Sequence, residues 1–110
     1  MNEKDEFYLE NILDSILDIE KFMIGMNKIS FSASDLHQSA IIKKLEIVGE
    51  ATKRISDDFK KQHPDTAWRK ITGMRDVLIH DYLGTDLEEV WRVITIDLPK
   101  YKDSINDFLK

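Results

Sequence analysis

The sequence predicts an all-α protein, an antiparallel bundle of four main helices closed by a short fifth helix at the C-terminus. Apolar residues recur at steps of three and four along most of the chain, the spacing of amphipathic helices. No stretch alternates with a period of two over a useful length, and Asn-Gly hairpin signals are absent. The breaks between periodic stretches hold proline, glycine and capping residues. A chain of 110 residues is expected to form one domain over 1–110, with a core that is adequate but not generous.

The first helix is expected from about Glu6 to Met26, with Phe7, Leu9, Ile12, Leu13, Ile16, Leu17, Ile19, Phe22 and Met23 on its apolar stripe. Asn27 to Ser34 is polar and small and reads as a loop. Ser34 is placed to cap a second helix from about Asp35 to Lys61, bearing Leu36, Ala40, Ile41, Leu45, Val48, Ala51, Ile55 and Phe59. Gly49 inside it costs roughly 1 kcal/mol against alanine, which points to a close helix approach or a nearby ligand. His63-Pro64-Asp65-Thr66 is the clearest break. A third helix follows from about Ala67 to His80, with Trp68, Ile71, Met74 and Leu78 on one stripe, and Tyr82-Leu83-Gly84 ends it. Thr85-Asp86-Leu87-Glu88 matches the capping box of a fourth helix that buries Leu87, Val90, Trp91, Ile94 and Ile96. Pro99 is expected to divide it from the last helix, with Tyr101, Ile105, Phe108 and Leu109.

The composition, 42% apolar and 34% charged, is that of a globular rather than a disordered chain. With no cysteine, disulfides and thiolate metal sites are excluded and a reducing, cytoplasmic setting is expected. The acidic start, Met1 to Glu6, lacks the basic stretch of a signal peptide. No apolar run nears the roughly 20 residues that span a bilayer. The net charge of −5 weighs against nucleic acid as partner, but it is unevenly spread. Residues 1–20 hold seven acids and one base, whereas 51–75 hold seven bases and three acids. The acidic start could face solvent while the basic middle faces an anion, but on charge alone solvated helix faces are the favoured reading of both.

Chemistry gathers in Arg75-Asp76-Val77-Leu78-Ile79-His80-Asp81-Tyr82. Arg75 is a permanent cation whose planar fork fits phosphate oxygens. His80 exchanges protons near neutral pH. Tyr82 carries a hydroxyl that can bond or be modified. Five residues advance a helix by about 500°, so positions 75 and 80 diverge by roughly 140°. His80 is therefore expected at or past the helix end, with Asp76 at i−4 placed to hold its imidazole. A second chain could complete the site. His37 and His63 belong to no constellation, and three histidines without suitable spacing make no metal site. Trp68 and Trp91 read as core residues.

This stretch resembles the HEPN superfamily, with its Arg, four to six residues, then His. It is closer still to the HepT-type toxins, whose signature is Arg-x4-His-x-Tyr. The Gly49-Glu50-Ala51 element, the approach Trp68 to Met74 and the following Thr85 to Trp91 are similar to segments of that family, and the likeness covers about residues 5 to 110. Asp76 stands where these proteins frequently have asparagine. The resemblance implies a metal-independent endoribonuclease with no cofactor, the toxin of a type VII-like toxin–antitoxin pair. Arg75 and His80 would be catalytic at a homodimer cleft, and Asp76 and Glu50 supporting. A minimal nucleotidyltransferase antitoxin would attach AMP to Tyr82. Arg54, Arg69 and Lys70 could extend the RNA-binding surface. The alternative is a non-catalytic helical module that serves the nucleotidyltransferase as interaction or substrate-binding subunit.

Overall fold

The architecture follows from where each apolar stripe can be buried. The computed structural model describes residues 1–80 and 86–110, with side chains for 1–74 and 86–110. Helices α1 (Glu3–Phe22), α2 (Lys28–Ser32), α3 (Asp35–Arg54), α4 (Asp57–Gln62), α5 (Trp68–His80) and α6 (Leu87–Arg92) are followed by a π-helical turn, Val93–Asp97, and α7 (Leu98–Phe108). Among the described residues there is no strand, and the all-α expectation stands. Helix α1 packs along α3, α3 against α5, and α7 against α1. Leu9, Ile12, Ile16 and Ile19 of α1 meet Ile41, Leu45 and Val48 of α3 in one core that also takes in Val90, Leu98 and Ile105. Among the described residues no helix is long and apolar enough to cross a membrane.

Four boundaries differ from expectation, each because of a specific cap or contact. Helix α1 starts at Glu3 because Asn2 caps it, its Oδ1 accepting the Asp5 amide at 2.7 Å. The expected loop 27–34 contains α2, closed by a reciprocal capping box between Asn27 and Ser30, and Phe31 of α2 is fully buried. The long second helix is two helices. Ile55 and Ser56 are extended, with ψ of 137° and 150°. Ser56 caps α4 by accepting the Phe59 amide at 3.2 Å. Its own amide and hydroxyl donate to the buried carboxylate of Asp5, at 2.8 and 2.6 Å. Helix α6 is capped by Asp86, whose Oδ1 accepts the Glu89 amide at 3.2 Å.

Pro99 does not divide two helices; it lies in the first turn of α7. It lacks the N–H that would bond one turn back, and the helix changes its hydrogen-bond step just ahead of it. The backbone widens over Val93–Asp97, and the Leu98 amide reaches the Val93 carbonyl five residues earlier. This extra residue per turn rotates the stripe. Val93 and Leu98 point inward at 3% and 2% exposure, while Ile96, expected in the core, is 59% exposed. Phe7, Leu17 and Leu36 are also exposed rather than buried. Leu78, Tyr82-Leu83-Gly84 and Thr85 lie outside the residues whose side chains are described. The buried Thr52 and Tyr101 hydroxyls share a hydrogen bond of 2.7 Å between α3 and α7, and burial holds the Tyr101 phenol well above its ordinary pKa.

Candidate functional site

Helix α5 carries the chemistry-bearing segment, and its first half is firmly anchored. Trp68 is buried; its indole N–H donates to the His63 carbonyl at 2.9 Å, and its ring stacks on Phe108 at 5.9 Å. Ile71 and Met74 follow on the same inward stripe. The described part of α5 runs from Trp68 to His80; whether His80 stands at the helix end, as expected, turns on residues 81–85, which lie outside the described residues. Arg75 and Asp76 occupy its second half. The side chains of Arg75, Asp76 and His80, and the whole of Tyr82, lie outside the described residues.

The other residues singled out from sequence fall into two depressions. Glu50 (half-buried) and Arg54 (exposed) line an open groove of about 490 Å³ between α1 and α3, with Tyr8, Asn11, Lys43 and Glu46. Gly49, one residue before Glu50, is buried in α3. Arg69 and Lys70, both exposed, line a cavity of about 230 Å³ between α5 and the run from α6 into the π-helical turn. The structure thus brings Glu50 and Arg54 together, and Arg69 and Lys70 together, in separate places. His63 stacks between Phe59 and Phe108, with ring centres 4.6 and 4.4 Å away. His37 Nδ1 is 2.6 Å from the Ser34 hydroxyl. Both have structural roles at these positions. Trp68 is core, and half-buried Trp91 leans on Phe31 at 5.8 Å.

The 230 Å³ cavity is built by residues that the sequence did not single out. Arg92 forks onto Glu89, donating from Nε to Oε2 at 3.0 Å and through a second, shorter bond to Oε1. Its other amino group reaches the Asp97 carboxylate at 3.0 Å, and Lys70 Nζ reaches the same carboxylate at 3.1 Å. The result is a continuous charge network, Lys70–Asp97–Arg92–Glu89, between α5 and the opposite wall. The Glu89–Arg92 pair is legible as an i,i+3 spacing. Arg92 and Asp97 are five apart, which an α-helix would place about 140° apart. Only the π-helical turn brings them into line, so sequence periodicity could not reveal that contact.

The hydrogen bonds from Arg92 hold the Glu89 carboxyl below the usual carboxylate range, with partial burial opposing and Lys70 adding attraction. Such a group stabilises the fold above its unfolded pKa, about 4.3 for glutamate, and the contribution fades as pH falls through the lowered folded value. Both partners are 36% exposed, so salt screens the pair and the effect is small. Glu89→Gln should therefore melt slightly below the parent at pH 7 in low salt. The gap should close on acidification past the glutamate range. A gap that widens with acid would contradict the assignment.

The family model for "Ribonuclease HepT-like" matches residues 12–108. The chain is 38% identical over 110 residues to a Thermococcus cleftensis protein named "Probable ribonuclease HepT", covering all of both chains. It is 33% identical over 106 residues to "Putative RNase MJ1380" of Methanocaldococcus jannaschii, covering 96% of this chain and 97% of that one. A longer protein of the same organism, "Gamma-glutamylcyclotransferase and putative RNase MJ0434", is 36% identical over 105 residues, and the match spans 47% of its length. No solved structure matches. Residues 12–108 include every motif position from Arg75 to Tyr82, and the chain belongs to the HepT-like ribonuclease family of the HEPN superfamily.

Proposed function

We propose that the chain is a metal-independent endoribonuclease, the toxin of a type VII-like toxin–antitoxin pair, acting in the cytoplasm as a homodimer of single HepT-like domains. Family membership carries the reading, together with the motif Arg75-x4-His80-x-Tyr82, of which Arg75 to His80 lie in α5. RNA brings its own nucleophile, the 2′-hydroxyl. In the proposed reaction the 2′-oxygen bonds to phosphorus, the bond from phosphorus to the 5′-oxygen breaks, and a 2′,3′-cyclic phosphate and a 5′-hydroxyl result. One proton leaves the 2′-hydroxyl and one reaches the departing oxygen. His80 carries one of these transfers, Arg75 stabilises the charge on the pentacovalent phosphate, and Asp76 and Glu50 support them.

Positions 75 and 80 diverge by roughly 140° around an ideal helix, which favours a site assembled from two copies, with the second proton carrier being the other copy's histidine. Exposed apolar residues such as Phe7, Ile29 and Leu36 also favour a covering partner. Arg54, Arg69 and Lys70 are solvent-facing cations available to phosphates, although Lys70 is shared with Asp97.

The test is growth after induction of the chain without any partner gene. The wild-type chain should arrest growth, whereas Arg75→Ala and His80→Ala should not. Equal arrest by all three, or by none, sinks the reading. Silencing is assigned to a minimal nucleotidyltransferase that transfers AMP to Tyr82. Each adenylate places a phosphodiester next to the Arg75 cation and blocks RNA by bulk and repulsion. Protein coexpressed with that enzyme should gain mass in adenylate steps, and Tyr82→Phe should gain none. Unchanged mass of the wild-type chain would rule out this route of silencing.

A further inference from the structure

The geometry points to the cavity between α5 and the π-helical turn as a subsite for one nucleobase of the RNA, beside the phosphodiester assigned to Arg75 and His80. It rests on the RNA substrate proposed above and adds where that strand is gripped. The first observation is Gly73. It stands in the middle of α5 on the cavity wall, and a Cβ built there meets, among the described residues and apart from its neighbours and its own helix backbone, no atom within 4 Å. Glycine inside a helix is costly, and here no close packing requires it. What its missing side chain preserves is open space.

The second observation is the lining. Ile71, Met74 and Val93 supply buried apolar walls. Around them Lys70, Arg92, Glu89 and Asp97 are paired with one another. A free phosphate would meet two carboxylates, and of the three lining cations Lys70 and Arg92 are already engaged, leaving Arg69 at the rim. A nucleobase suits the site better: its ring faces are apolar, and its edge carries both donors and acceptors for guanidinium and carboxylate. The volume, about 230 Å³, is below the roughly 300–1,000 Å³ of sites for drug-sized ligands and fits one base rather than a whole nucleotide.

The third observation is register. On an ideal helix, positions 69, 73, 76 and 80 fall on one stripe about 60° wide, and position 80 lies about 10 Å along the axis from 73. A strand held at the end of α5 and running back along that stripe passes over the cavity.

The test uses His80→Ala protein, so that RNA is not consumed, and fluorescence anisotropy with a short labelled single-stranded RNA. Adding Gly73→Leu should weaken binding about tenfold, the worth of one base contact, with a melting temperature no lower than before. Gly73→Ala should give a smaller loss, and it carries the test if the leucine variant is unstable. RNAs with an abasic ribose at each position in turn should show one position where the base no longer matters to the leucine variant. Equal binding by the glycine and leucine chains, or a penalty that persists at every abasic position, overturns the subsite. If RNA is cleaved by the chain bearing His80 yet Gly73→Leu binds normally, the subsite fails and the nuclease stands. If that chain cleaves nothing while the abasic pattern holds, the nuclease fails and the subsite stands. Absence of RNA binding by every chain defeats both.

Discussion

His80→Ala is expected to lower RNA cleavage by about 10²–10⁴-fold, the usual worth of a positioned proton carrier. The intact protein should leave 2′,3′-cyclic phosphate ends in buffer containing a metal chelator. Arg75→Ala should cost about 10²–10³-fold, as loss of a donor to developing oxyanion charge does. Arg75→Lys should recover little, because an ammonium keeps the charge but loses the planar two-pronged fit to phosphate. The more discriminating experiment mixes the two inactive variants. If the site is assembled from two copies, heterodimers of Arg75→Ala and His80→Ala hold one arginine and one of the two histidines, and should cleave faster than either inactive homodimer though well below the wild-type rate. Activity that survives in His80→Ala at the wild-type rate would remove the imidazole from the reaction. Strong cleavage that disappears with the chelator would remove the metal-independent mechanism while leaving the family intact.

The helical class and the family were legible from residue spacing and from one motif, because both are local properties. The stripes of α1, α3, α5 and α7 are regular enough that Leu9, Ile16, Leu45, Val48, Ile71 and Ile105 are buried as expected. The misses have physical causes. The break after Arg54 depends on Asp5, which lies about fifty positions away in sequence and docks its carboxylate onto Ser56. The local half of that signal, Ser56 followed by Asp57 and Asp58, was present as an N-cap with acids in the first turn. The π-helical turn is less accessible still. Proline hints at trouble near residue 99, but not that the helix continues by widening, and every contact that depends on it was hidden. Ile96 turns outward and Asp97 reaches Arg92 for this one reason. Within the site, residue types in the motif suggest roles. Which helix faces converge is set by tertiary packing, so the cavity beside Gly73 emerges only from the coordinates.

Asp5→Ala is expected to destabilise the protein by about 2 kcal/mol, since hydrogen bonds to a charged group are worth more than neutral ones and their loss leaves two half-buried donors without their acceptor. Asp5 is 2% exposed. Its Oδ1 accepts the Ser56 amide at 2.8 Å and its Oδ2 the Ser56 hydroxyl at 2.6 Å. Alanine would leave that half-buried amide without its acceptor where two helices meet. At roughly 4–8 °C per kcal/mol for a domain near this size, the melting temperature should fall by about 10 °C or more. Asp5→Asn keeps an acceptor for one of the two donors and should cost about half as much. Ser56→Ala removes the hydroxyl and the cap on Phe59 but keeps the amide, so the double variant with Asp5→Ala should be less destabilised than the sum of the singles. The consequence reaches the candidate site. Asp5 fixes where α3 stops, and Arg54 is the last residue of α3, on the groove shared with Glu50. Loosening that joint should weaken RNA binding through Arg54 under conditions where the fold is still intact. If Asp5→Ala melts within a degree of wild type, the carboxylate is not what divides α3 from α4, and the extended pair Ile55–Ser56 must be held by the burial of Ile55 and Phe59 alone.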